Sequence, residues 1–129
     1  MIKPVRVLAV GLALALAWLP SAAAADELIG TYVARISWKD HESSTGRKLD
    51  TAAQVVRQDR ANVHKHIQTD EEDDIDVWFT TNAKRTSFEV LLNREGAIDQ
   101  ATRRAIMEGE PLIEVEVYRN SVKVVLLSG

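Results

Sequence analysis

Two stretches of alternating apolar and polar residues near the end of the chain constrain its fold more than any other feature. They are "LIEVEVY" and "VKVVLL", separated by "RNS". A two-residue loop at Arg119-Asn120 brings apolar residues opposite one another on one face: Val117 with Val122, Val115 with Val124, and Ile113 with Leu126. On the other face Glu116 meets Lys123, a pair of opposite charges. Because side chains alternate with a period of two, a one-residue slip would destroy every match. The sequence therefore predicts a β-hairpin in this register.

A further strand is predicted near the start of the mature chain. In "ELIGTYVARISW" the residues Tyr32, Ala34, Ile36 and Trp38 alternate with Arg35 and other polar side chains, which indicates a strand over about 28–38 with one buried face. It is long enough to pair with either hairpin strand, and the sequence does not choose between them. Four aromatic residues are interpreted as core: Tyr32, Trp38, Trp78 and Phe79.

Three helices are predicted between the strands. The first covers about 51–66, with Asp50 as its N-cap and an apolar stripe through Ala52, Val56, Val63 and Ile67. The second covers about 82–94, capped by Thr81 or Asn82 and stopped at Gly96. The third begins after Asp99 and ends at Gly109 and Pro111. Between the first two, "IDVWF" (75–79) suggests a short strand or a buried tether.

These elements predict an α+β fold. A small antiparallel sheet, made of the N-terminal strand and the C-terminal hairpin, packs against about three helices. Residues 26–129 form a single domain, since neither an internal repeat nor a linker divides them.

The first 25 residues predict a signal peptide. "MIKPVR" is basic, "VLAVGLALALAWLP" is apolar, and "SAAAAD" supplies small residues for cleavage after Ala24 or Ala25. The apolar run is short for a membrane span, although an uncleaved anchor is an alternative. We expect a periplasmic or secreted protein with no membrane span after cleavage.

The net charge and the absence of cysteine make some classes of function and stabilisation less favourable for this chain. Loss of Lys3 and Arg6 with the signal peptide takes the formal net charge from −3 to −5. This balance disfavours nonspecific binding to nucleic acid or to an anionic membrane surface. Cys is absent, so no disulfide supports the fold.

The stretch "RQDRANVHKH" (57–66) carries the most unusual polar pattern. On a helix Arg57, Arg60 and His64 share one flank, where they could pair with acids of the same chain or bind an anion. Asp59 instead falls inside the apolar stripe, between Val55 and Val63. A carboxylate there must be paired or hydrogen-bonded, with Arg35, Arg104 or the helix start near Thr81 as candidate partners. It is either a packing element or a general base tuned by burial.

A metal site is not expected from the histidines. His64 and His66 lie about 200° apart on a helix, so they cannot chelate one ion, and the neighbouring acids lack the glycine and the spacing of a calcium loop. No metal, cofactor or nucleophilic motif is predicted.

The acidic run at 70–74 has five like charges in succession. Such a run is typical of a solvated loop. On that interpretation Asp73→Ala would cost less than about 0.5 kcal/mol. The alternative is a docking surface for a basic partner.

The stretch "LDTAAQVVRQDRANVHKH", with the acid-rich turn, "DVWF" and "GEPLIEVEVY", resembles a group of small exported bacterial proteins of unknown function. They share an R-Q-D-R-A-N-x-H core between two strands. The resemblance covers most of the mature chain, supports an ordered role for the core, and implies no activity.

The expected function is that of a non-catalytic binding or interaction module of the cell envelope, whose partner is a protein or an envelope component. The candidate binding residues are Arg57, Asp59, Arg60 and His64. One alternative is an enzyme or metal-dependent site built from Asp59, His64, His66 and the acids at 70–74. Another is a structural module that oligomerises through the C-terminal strand edge.

Overall fold

The protein folds as an α+β unit with its sheet on one side and its helices on the other. The computed structural model describes residues 26–65 and 70–129, so the predicted signal peptide, His66 and Ile67 lie outside the described residues. In chain order the elements are β1 (Leu28–Arg35), a 3-10 helix (Trp38–His41), α1 (Ala52–His64), α2 (Asn82–Leu92), α3 (Gln100–Glu108), β2 (Leu112–Tyr118) and β3 (Val122–Ser128).

The three strands form one antiparallel sheet in the order β1-β2-β3. The predicted hairpin register is confirmed, including Val117 opposite Val122 and Glu116 opposite Lys123. The partner of the N-terminal strand, which the sequence left open, is β2, with Tyr32 opposite Val115.

The core lies between one sheet face and the helices. Tyr32 and Ala34 of β1 meet Val115 of β2 and the apolar face of α1, where Val55 and Val56 are fully buried. Phe88 of α2 stacks on Phe79 with ring centroids 3.9 Å apart. The strand ends at Arg35 rather than at 38. The prediction for Trp38 is wrong: it lies in the 3-10 helix and is 57% exposed.

Each α-helix begins after an N-cap residue whose side chain accepts one of the free backbone N–H groups of the first turn. Thr81 and Asp99 cap α2 and α3 as predicted. The prediction for α1 is wrong by one residue, because Thr51 rather than Asp50 is the N-cap. The Thr51 hydroxyl accepts the Gln54 N–H, and the Gln54 side chain reaches back to the Thr51 N–H. This reciprocal capping box satisfies two donors and favours Thr51 over its neighbour.

Residues 75–79 do not form a strand, and only part of the segment is buried. Ile75 and Val77 are 75% and 74% exposed, whereas Asp76 between them is buried. The segment follows β1 in the opposite direction: Asp74 bonds to Val33, and the Trp78 ring covers Gly30. The segment alternates in burial, with the acid on the buried side and the aliphatic residues on the exposed side.

The acidic run seals the outer edge of β1. The Asp74 carboxylate accepts the Val33 N–H at 2.8 Å, and the Val33 carbonyl accepts the Asp74 N–H at 2.8 Å. The Asp73 carboxylate accepts the Arg35 N–H at 2.8 Å, and Glu72 pairs with the Arg35 guanidinium at 2.7 Å. The run is a loop in which Glu72 and Asp74 are exposed, as predicted, but Asp73 and Asp74 also occupy main-chain donors of an edge strand.

The opposite edge of the sheet is also covered in part. The Val124 N–H of β3 donates to the Ala97 carbonyl at 2.8 Å, in a short parallel bridge between Ile98 and Val124. Across the described part of the chain, no helix has both the length and the apolar character needed to cross a membrane.

Asp73→Ala should lower the free energy of unfolding by about 1–3 kcal/mol, because two buried or half-buried N–H groups, those of Arg35 and Asp70, lose a charged acceptor. Urea denaturation measures this loss. Glu71→Ala, which removes an exposed neighbouring carboxylate, is the matched control and should cost less than about 0.5 kcal/mol. Equal, small losses for the two variants would contradict the edge-sealing role of Asp73.

Candidate functional site

Asp59 is buried, as its position on the helix predicts, with 1% of its surface exposed. Its partner is not one of the predicted candidates. Arg60, the next residue along α1, places Nε and Nη2 each 2.7 Å from the same carboxylate oxygen of Asp59. The Nε contact is a directed hydrogen bond, whereas Nη2 has no well-aligned acceptor.

Arg60 is the largest fully buried side chain among the described residues. Its Nη1 donates to the Asp76 carboxylate at 3.0 Å and to the Asp74 carbonyl at 2.8 Å. Its guanidinium carbon lies 4.0 Å from the centre of the Tyr32 ring, a cation–π contact. Arg60 points into the protein and not along the polar flank with Arg57. The predicted pairing of Arg57, Arg60 and His64 with acids of the same chain is confirmed, since each lies within 3.1 Å of a carboxylate.

Asp76 joins α1 to the turn before α2. One carboxylate oxygen accepts from Arg60 and lies 2.7 Å from Nε2 of His64, while the other accepts the N–H groups of Trp78 and Phe79. Burial would raise the pKa of Asp76, but these hydrogen bonds outweigh it and hold the pKa below its usual range. Asp76 is therefore the ionised counterpart of Arg60.

A second buried carboxyl adjoins Asp59. Asp40 accepts the Ser37 N–H at 2.9 Å and the Asn62 side-chain amide at 2.8 Å. Burial raises the pKa of Asp40, and it raises the pKa of Asp59 well above its usual range despite Arg60. Burial therefore favours the protonated form of Asp59.

We call this set the acid–arginine network; its members are Tyr32, Asp40, Asp59, Arg60, His64 and Asp76. It ties β1, the 3-10 helix, α1 and the turn at 76–79 together. Its carboxyls and guanidinium are almost wholly shielded from water.

A different region of the surface forms a groove between the loop at 43–47 and helices α1 and α2. Its volume is about 300 Å³. We call it the basic groove after the four cationic side chains that line it, Arg47, Arg57, Lys65 and Arg85. One acid, Glu89, is among its lining residues. The chain has a net negative charge, but this groove is strongly positive. The net charge of a protein does not reveal such a local cluster of cations.

Arg85 is the most unusual residue of the basic groove. It is 4% exposed, and its Nη1 donates to the Phe79 carbonyl at 2.9 Å. No ion pair to Arg85 exists among the described residues, and every Asp and Glu of the chain belongs to them. Burial and the nearby Arg57 lower its pKa. An arginine that is nearly buried and has no carboxylate partner loses part of its hydration without an ion pair to replace it, and a bound anion would supply that ion pair.

Arg57 is held in place beside Arg85. Its Nη1 donates to Glu89 at 3.1 Å, and its Nη2 donates to Asn82 at 3.0 Å and to Thr86 at 3.1 Å. All three acceptors belong to α2, so Arg57 clamps α1 to α2 and lines the groove with a fixed cation.

The predicted binding residues therefore do not converge on one site. Arg57 lies in the basic groove, whereas Asp59, Arg60 and His64 belong to the acid–arginine network. In residues 26–65 and 70–129, no three or more His, Asp or Glu side chains are grouped so that they could hold a metal ion.

Arg85 was missed at the level of sequence, and Arg60 was named as a binding residue without a prediction that it is buried, although the helical spacing contained both signals. Arg60 lies four residues after Val56 and three before Val63, both buried, so its spacing places it on the apolar stripe. Arg85 lies three residues before Phe88 and seven before Leu92, which gives it the same position on α2. The burial of Asp76 had no such signal, because it depends on a non-helical segment.

Comparisons of this chain with protein-family models, with curated proteins and with solved structures find no match.

Asp59→Asn should change how stability depends on pH. Since the folded-state pKa of Asp59 is raised, the unfolded chain loses this proton first as pH rises above about 4. Wild-type stability should therefore fall relative to Asp59→Asn as the pH rises towards the folded pKa. The slope of the difference should approach about 1.4 kcal/mol per pH unit.

Urea denaturation from pH 4 to pH 7 measures this difference, with Asp50→Asn, an exposed carboxylate outside the network, as the matched control. Parallel curves for the wild type and Asp59→Asn would show that Asp59 is ionised in both states and that burial does not raise its pKa in the folded protein.

Proposed function

We propose that this chain is an exported, non-catalytic binding module that holds an anionic ligand in the basic groove. The observation that carries the proposal is Arg85: a residue that is 4% exposed, whose Nη1 donates to one carbonyl and whose guanidinium has no acid partner among the described residues. Such a cation is retained at a cost in stability. A bound anion would offset that cost and would explain why the position is not apolar.

The chemistry of the groove favours binding over catalysis. Its described lining includes hydroxyl groups but no His or Cys, and its one acid, Glu89, is committed to Arg57 at 3.1 Å. A Ser or Thr nucleophile requires a neighbouring base to accept its proton. The groove lacks that base, while arginines beside polar donors are the usual means of anion recognition.

Location in the periplasm or the medium is part of the proposal and depends on the signal-peptide pattern in residues 1–25. An envelope component that carries negative charge fits both this location and the basic groove. The small volume of the groove, about 300 Å³, suits a small ligand or a terminal group rather than a polymer.

A protein partner is the second candidate, and a separate observation favours it. Ile75 and Val77 are 75% and 74% exposed on the extended segment beside β1. Two adjacent aliphatic side chains that project from the edge of a sheet are typical contacts for another protein. This surface is separate from the basic groove, so the two candidates can be tested independently.

Arg85→Met should leave the free energy of unfolding unchanged or raise it, because the substitution removes a buried, unpaired charge and keeps an apolar side chain of similar length. The same variant should lose the response to anions. At constant ionic strength, replacing chloride by sulfate, phosphate or citrate should raise the Tm of the wild-type protein but not that of Arg85→Met.

Arg104→Met, on the exposed face of α3, is the matched control and should respond to anions as the wild type does. An equal rise in Tm for Arg85→Met would show that the anions act elsewhere on the protein. A large loss of stability in Arg85→Met would show that Arg85 is a structural residue.

A further inference from the structure

The balance of charge in the basic groove indicates how many charges its ligand carries. Arg57 is neutralised by Glu89, but Arg47, Lys65 and Arg85 have no ion pair among the described residues. Three uncompensated cations around a small volume favour an anion with two negative charges over one with a single charge. A ligand with a single carboxylate group would neutralise only one of these three positive charges.

The uncharged lining indicates what the rest of the ligand looks like. It is mainly hydroxyl and amide groups, and no aromatic residue belongs to the described lining: Ser43, Ser44, Thr45, Gln54, Gln58 and Asn82 face the groove beside the apolar Leu49 and Ala61. Without an aromatic platform or a large apolar wall, a nucleobase or an acyl chain would find little to pack against.

Several of these polar groups are oriented by bonds within the protein. The amide oxygen of Asn82 accepts from Arg57, and the amide oxygen of Gln54 accepts the N–H groups of Asp50 and Thr51. Their amide nitrogens therefore remain as donors. The loop hydroxyls of Ser43 and Thr45 lie 3.1 Å apart and hold each other in place. The groove presents mainly donors, which suits a ligand rich in oxygen acceptors.

We propose that the ligand is a phosphate monoester of a hydroxylated carbon chain or ring, such as a sugar phosphate or a phosphorylated polyol. A phosphate monoester carries about −1.5 to −2 charges at neutral pH and three acceptor oxygens, and guanidinium groups bind it with paired hydrogen bonds. The phosphate is held by Arg85 with the other uncompensated cations, Arg47 and Lys65, and the hydroxylated part faces the loop at 43–45. This inference rests on the proposed function and names the ligand class for the same groove.

Isothermal titration of the purified protein with glycerol 3-phosphate, inorganic phosphate, sulfate, acetate and glycerol tests the inference. Glycerol 3-phosphate should bind with 1:1 stoichiometry and about tenfold or more tighter than sulfate or acetate. Glycerol should not bind. Arg85→Met should weaken binding by about tenfold or more, since one charge-assisted hydrogen bond is worth about that factor. Arg104→Met should bind as the wild type does.

The outcomes separate this inference from the proposed function. Sulfate or acetate binding as tightly as glycerol 3-phosphate, with the loss in Arg85→Met, would overturn the phosphate-ester inference and leave an anion-binding module. The absence of binding by every anion would overturn both.

A second arm distinguishes the source of the phosphate. Sedimentation with vesicles of phosphatidylcholine containing phosphatidic acid, and displacement by free glycerol 3-phosphate, would assign the ligand to a lipid headgroup. Binding of free glycerol 3-phosphate without sedimentation would assign it to a soluble or glycan-borne phosphate. Both results support the phosphate-monoester class.

Discussion

A guanidinium cation with no exposed surface lies at the centre of this small domain, and its charge determines much of what surrounds it. Arg60 contacts Asp59 on its own helix, Asp76 from the following segment, and the face of Tyr32 from β1. Removing a cation from water costs several kcal/mol unless carboxylates and hydrogen bonds replace the solvent. The three contacts come from three separate parts of the chain, so Arg60 can be satisfied only when those parts are assembled.

The need of Arg60 for a carboxylate partner also links the acid–arginine network to the basic groove. Asp76 meets Arg60 with one oxygen and uses the other to organise the turn at Trp78 and Phe79. The Phe79 carbonyl then accepts from Arg85, and the Phe79 ring stacks on Phe88 of the same helix as Arg85. A structural ion pair in the interior thereby fixes the position of the cation on which the proposed binding function depends.

Strands and helices could be predicted from the sequence wherever the apolar residues repeat with the period of one kind of element. The hairpin register could be predicted because alternation leaves one arrangement in which Val117 meets Val122, and the burial of Asp59 followed from its place between apolar residues on one helix. The partners of Arg60 and the role of the acidic run could not be predicted, because both depend on how residues 70–79 lie along β1. In that segment the usual preference is reversed, with Asp76 inside and Ile75 outside. A prediction from hydrophobicity alone would bury Ile75 and expose Asp76. It fails because the cost of burying Asp76 is offset by Arg60, a residue 16 positions away.

The central claim is that Arg60 and Asp76 stabilise the domain as a pair, and a double-mutant cycle tests it most directly. The free energy of unfolding is measured by urea denaturation for the wild type, Arg60→Met, Asp76→Asn and the double variant. Each single substitution should cost about 3–5 kcal/mol, because it leaves one buried charge without its partner. The double variant should cost at least about 2 kcal/mol less than the sum of the two. Costs that add to within about 0.5 kcal/mol would show that the two residues act independently and would contradict the account.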